Sequence, residues 1–130
     1  KSTPIVLENL NKLEKNDFFP FKKKKSLFSM TAHIIYKVID KDLTATHSKE
    51  VINLIRKKIK FENIIMSDDI SMKSLKFDIK KNTTMAFNAG CNLVLHCNAD
   101  YSEMLIVGKN SPKLNHFLIK KTSEFYKILG

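Results

Sequence analysis

The chain has 130 residues, 43% of them hydrophobic, and a formal net charge of +10 at pH 7. That length and apolar content suit one domain, residues 1–130, with a buried core, and they exclude the disordered class. No uncharged apolar stretch exceeds strand length and no basic start leads into a long apolar segment, so neither a membrane span nor a signal peptide is expected.

The charge raises nucleic acid as a partner, because Lys and Arg neutralise phosphates. Yet Arg56 is the only arginine, and Arg is the residue that grips guanine and phosphate bidentately. The lysines are scattered along helical faces, so the charge supports only general phosphate attraction, and no specific nucleic-acid partner is expected. The densest run, Lys22 to Lys25, reads as a solvated helix end, where cations suit the dipole. Cys91 and Cys97 lie six positions apart on an expected strand, ~20 Å between Cα atoms at ~3.3 Å per residue, far beyond disulfide reach. Unbridged cysteines favour a reducing compartment and a cytoplasmic location. No paired Cys/His spacing points to zinc, and neither metal nor cofactor is expected. The chain starts at Lys1 rather than Met and reads as an excised or truncated piece.

In chain order, Pro4 after Ser2-Thr3 reads as a helix start with Pro in its first turn, and Val6, Leu7, Leu10 and Leu13 recur at helical spacing. Asn16-Asp17 breaks that helix, and Phe18-Phe19-Pro20-Phe21 forms a short packing turn. Ser26 to Ala32 is strand-like and ends in His33, followed by Ile34-Ile35-Tyr36. Lys37 to His47 is a connecting loop. Ser48 caps a helix whose Val51, Ile52, Leu54, Ile55 and Ile59 share one face.

A second apolar run, Ile64 to Met66, leads through Ser67 into adjacent acids, Asp68 and Asp69. In parallel α/β architectures ligands and catalytic groups collect at the C-terminal ends of strands, which makes the pair a candidate site; an Asp there also serves as the N-cap of a following helix. Asp78 caps the next helix, through Thr84, Met85, Phe87 and Ala89, and Gly90 ends it in a left-handed conformation. Cys91 to Cys97 is a third apolar strand, ending in Asn98 and Asp100, and a short helix follows through Met104 and Val107. Ser111-Pro112 opens a last helix with Leu114, Phe117, Leu118, Phe125, Ile128 and Leu129 inward. The unit of strand, polar tip and helix thus occurs three times, at spacings suited to right-handed parallel crossovers. Three strands buried on both faces need a wider sheet or closure into a barrel. A complete eightfold barrel takes about 250 residues, so this chain would supply only part of one.

Four motifs in order carry a resemblance: Met30-Thr31-Ala32-His33-Ile34-Ile35-Tyr36, the Ser48 helix ending in Arg56 and Phe61, Ser67-Asp68-Asp69-Ile70-Ser71-Met72, and Ala89-Gly90-Cys91-Asn92-Leu93-Val94-Leu95. From Phe19 to about Asn98 the chain resembles the C-terminal half of the catalytic barrel of glycoside hydrolase family 3, within it the bacterial beta-N-acetylglucosaminidases of peptidoglycan recycling. The resemblance implies an α/β fold, a partial TIM (β/α)8 barrel made of about the last three β/α units, strands six to eight. It makes Asp68 the nucleophile of a retaining hydrolase that releases beta-linked N-acetylglucosamine from cell-wall muropeptides. Asp69 becomes a supporting or capping group, while Met72 and His33 lie near the sugar. The family's acid/base histidine sits in a glycine-rich loop, whereas glycine occurs here only at 90, 108 and 130. The acid/base group and the remaining sugar contacts would come from a missing N-terminal barrel half, in cis or in trans, and the chain alone would be inactive. Asn92 replaces an acid usual in the family. Two rival readings are a degenerate non-catalytic fragment of the same family and a phospho-receiver-like domain.

Overall fold

The computed structural model describes residues 2–22 and 25–130. Of the lysine run, Lys23 and Lys24 lie outside the described residues, and Lys22 ends the turn Phe19–Phe21 in extended backbone.

The fold is α/β, and every strand pair among the described residues is parallel. Strands β1 (Ile5–Val6) and β3 (Ile35–Tyr36) form a two-stranded ribbon, while β2 (Phe28–Met30), β4 (Ile64–Asp69) and β5 (Leu93–Leu95) form a sheet in the order β2-β4-β5. Phe28, Ser29 and Met30 pair with Ile64, Ile65 and Met66, and Met66 pairs with Leu93. The three expected strands are therefore neighbours with their C-terminal ends on one rim. The crossovers between them carry helix α2 (Lys49–Leu54, continuing as a wider turn through Ile59) and helix α3 (Ile79–Ala89).

The caps fall where the side chains require them. The Ser48 hydroxyl accepts the Val51 amide, and the Asp78 carboxylate accepts that of Lys81. Gly90 closes α3 at φ 116°, and a Cβ there would meet Ile52 Cγ2 at 2.9 Å, so the backbone conformation and the close approach both require glycine. Ile65 is fully buried and meets Ile52, Ala86, Ala89 and Cys91 in one cluster with Leu13, Phe18, Ile59 and Phe61. Those contacts seat α2, α3 and the N-terminal helix on one side of the sheet, and burying this many apolar side chains is the main stabilising term.

Two helix starts differ from the sequence reading. Pro4 does not open a helix: its carbonyl accepts the Ile35 amide and the Val6 carbonyl accepts that of Lys37, so the segment is strand β1. Leu7 is 80% exposed, and the helix, α1 (Leu10–Lys12, widening through Asp17), is capped instead by Asn9, whose side chain accepts the Lys12 amide. The fixed φ of Pro suits extended backbone as well as a helix start, and the β-branched pair after it decides in favour of the strand. Helix α4 (Tyr101–Asn110) is capped by Asp100. Helix α5 begins at His116 rather than Pro112, because the Asn115 side chain captures the Leu118 amide. Leu114, Ile128 and Leu129 are exposed rather than inward, and Leu118 is buried.

Arg56 clamps the N-terminal ends of the strands. Its guanidinium donates to the carbonyls of Phe61 (2.8 Å) and Asn63 (2.6 Å) and to Asn92 Oδ1 (2.8 Å), which also accepts the Ile65 amide. Phe117 of α5 lies 5.8 Å from that guanidinium and Phe125 packs edge-on against Phe28, so α5 spans the strand starts, at the end away from the acids.

Candidate functional site

The rim at the strand C-termini is built around an irregularity in β4. Between Met66 and Asp69 it carries one more residue than β5 does between Leu93 and Leu95, a bulge of the sort that re-aims side chains beside functional sites. Ser67, fully buried, fills the break: its hydroxyl accepts the Leu95 amide at 3.0 Å.

The two acids then part, as consecutive side chains of an extended strand must. Asp69 Oδ1 accepts three hydrogen bonds, from the Ser71 amide (3.0 Å), the Ser71 hydroxyl (2.7 Å) and the Cys97 amide (3.1 Å). Burial works against ionisation of Asp69, but the Ser71 and Cys97 donors outweigh it and hold the carboxyl below its ordinary value. Asp69 thereby fastens the turn after β4 to the end of β5. Asp68, half-buried, accepts only the neighbouring Asp69 amide (2.8 Å) among the described residues, which leaves its second oxygen available to a ligand. Met72 follows on the turn, 43% exposed, with its amide on the Asp69 carbonyl.

His33 is at the same rim, but buried. Its Nε2 lies 2.7 Å from the Asp69 carbonyl and its Nδ1 2.9 Å from the Thr46 hydroxyl, so both ring nitrogens are engaged inside the protein. On the far side of β5, His96 Nε2 and Asn98 Nδ2 converge on Glu103 Oε2 at 2.8 Å and 2.6 Å. Those two contacts, His96 foremost, hold the Glu103 carboxyl below its ordinary value.

The structure thus brings His33, Asp68, Asp69 and Met72 together. The sequence reading missed Thr31, Thr46, Ser67 and Ser71. The available signal was the run Thr44-Ala45-Thr46-His47-Ser48, five small or polar residues in what reads as a loop, all of them buried. Among the described residues no group of three or more His, Cys, Asp or Glu side chains converges to hold a metal ion. An apolar hollow of 420 Å³, lined by Phe18, Phe28, Met30, Tyr36, Ile55 and Phe61 among others, follows the edge of β2 that pairs with no strand among the described residues, and it includes neither acid.

Comparison with known proteins fits this arrangement to a family. A profile described as the glycosyl hydrolase family 3 N terminal domain matches residues 1–120, and the chain belongs to that family. It is 34% identical over 101 residues to a beta-hexosaminidase of Nitrosomonas eutropha, covering 74% of this chain and 29% of that protein. Among solved structures it is similar to NagZ from Neisseria gonorrhoeae in complex with N-trifluoroacetyl-D-glucosamine, with TM-score 0.79, 27% identity, 93% of this chain and 36% of that one. The beta-N-acetylglucosaminidase from Thermotoga maritima gives TM-score 0.72 and 28% identity over 95% of this chain and 27% of that one. The chain therefore spans about a third or less of the relatives it matches.

Proposed function

We propose that this chain is the last three β/α units, strands six to eight, of a (β/α)8 barrel, and that it supplies the nucleophile of a retaining beta-N-acetylglucosaminidase. The single observation carrying this reading is the parting of the acids. Asp69 is spent on three internal hydrogen bonds, while Asp68, at the C-terminal end of the central strand, keeps an oxygen for chemistry. A carboxylate oxygen of Asp68 bonds to the anomeric carbon as the bond to the leaving oxygen breaks; that oxygen takes a proton from an acid outside this chain, and water then hydrolyses the glycosyl ester with retention. Met72 lines the sugar subsite from the turn, and His33 serves it from below through the Asp69 carbonyl. The substrate is a muropeptide bearing beta-linked N-acetylglucosamine, and the setting is cytoplasmic peptidoglycan recycling. Two free cysteines are consistent with a reducing compartment.

The edge of β2 left unpaired among the described residues and the apolar hollow beside it support a missing N-terminal barrel portion as partner, in cis or in trans. General acid catalysis is worth ~10²- to 10⁴-fold, so the chain alone should leave an aryl beta-N-acetylglucosaminide intact. Joined to the complementary portion of a family member such as the Neisseria gonorrhoeae protein, it should turn the substrate over. A slow fluorinated substrate should then label Asp68 in peptide mapping, and Asp68→Asn should abolish the label. Label on Asp69, or near-normal turnover by Asp68→Asn, would overturn the assignment. No turnover in any joined form would favour a decayed, non-catalytic fragment.

A further inference from the structure

Beneath the acids a buried chain of hydrogen bonds continues from His33 through Thr46 to Thr31. Thr46, fully buried, has its hydroxyl 2.9 Å from His33 Nδ1, 2.9 Å from the Thr31 hydroxyl and 3.3 Å from the Ala32 carbonyl. His33 Nε2 faces the Asp69 carbonyl, which also accepts the Met72 amide at 3.2 Å. A carbonyl has no proton to give, so Nε2 must carry one. In a neutral imidazole one ring nitrogen donates and the other accepts, so with Nε2 as the donor Nδ1 is the acceptor. It takes the single proton of the Thr46 hydroxyl at 2.9 Å in preference to the Ala32 carbonyl at 3.3 Å, and the Thr46 oxygen in turn accepts from Thr31.

We propose that Thr46, backed by Thr31, is a positioning residue: it fixes the tautomer and orientation of His33, which then holds the Asp69 carbonyl and with it the residue whose amide meets Asp68 and the turn bearing Met72. The order of donation runs Thr31 to Thr46 to His33 to Asp69, from the end of β2, across the loop before α2, to the end of β4. The functional half of this statement rests on the reading of Asp68 as nucleophile. The relay itself does not, so trapping and ring spectroscopy can fail separately.

The test is nitrogen-15 and proton NMR of the histidine rings in the labelled chain. His33 should show a protonated, slowly exchanging Nε2 and an unprotonated Nδ1. Thr46→Val keeps the shape and removes the hydroxyl; it should speed exchange at His33 Nε2–H and at the Met72 amide by about tenfold, the size expected for losing one buried hydrogen bond. Thr46→Ser keeps the hydroxyl and should match the parent. If Thr46 served packing alone, the ranking would invert, with the valine variant silent and the serine variant perturbed. Thr31→Val, which removes the outermost donor, should move the same two signals in the same direction, and it decides the matter if Thr46→Val does not fold. A proton on Nδ1 in the parent, or unchanged exchange in every valine variant that folds, would overturn the proposal.

Discussion

Acid should destabilise this protein through His47, well above the range where carboxylates titrate. His47 is 5% exposed, and among the described residues its Nε2 has no hydrogen-bond partner. Burial, and after it the charge that the nearby His33 takes on in acid, pushes its pKa down from 6.5 to about 4. The unfolded chain therefore binds more protons than the folded one between those values, so stability is full above pH 6.5 and is lost as pH falls toward 4. At about 1.4 kcal/mol per pH unit, a drop from pH 7 to about pH 4.5 removes roughly 2.5 kcal/mol through this one ring, a large share of a small domain's stability. Urea unfolding of the parent and of His47→Phe, at both pH values, isolates the effect. The phenylalanine keeps a ring beside Phe77, whose centroid lies 6.2 Å from that of His47, and cannot titrate. The variant should lose about 2 to 3 kcal/mol less than the parent on acidification. Equal losses in the two proteins would refute the claim that His47 is buried neutral.

Asp69→Ala should cost about 2 kcal/mol at neutral pH, because three donors lose a charged acceptor. Its carboxyl lies below the ordinary 3.8, so that penalty should be complete above pH 4 and shrink as pH falls through the depressed value, read by urea unfolding against pH. Asn92→Asp should raise the melting temperature, since it keeps the oxygen that accepts from Arg56 and Ile65 and adds a negative charge opposite the guanidinium, worth about 1 kcal/mol at this half-buried position. A lower melting temperature would mean that desolvating the new charge outweighs the pairing.

Much of this fold was legible because buried parallel strands announce themselves as short apolar runs with polar ends. Ile64 to Met66 could be placed from that pattern alone, as could the run Cys91 to Cys97, of which only Leu93–Leu95 pairs as a strand, and Ser48, Asp78 and Gly90 marked the helices between them by side-chain chemistry that acts within four residues. Strand β1 was not legible, since two residues paired to Ile35 and Tyr36 leave no period to detect. The same limit governs the site. The acids Asp68-Asp69 at a strand end marked the candidate position, but the difference in their hydrogen bonding depends on Ser71 and Cys97, the latter 28 positions away from Asp69. His33 shows the point most sharply. At the tip of a strand it reads as a group presented to a ligand, yet partners 13 and 36 positions distant, Thr46 and Asp69, occupy both nitrogens and turn it into support for the neighbouring strand. Local sequence marks where a polar side chain leaves a strand; which way it works depends on contacts that exist only after the sheet has brought β2, β4 and β5 side by side. In the proposed role Asp68 keeps a free oxygen because the donors at this rim, the Ser71 amide and hydroxyl and the Cys97 amide, are all taken by Asp69.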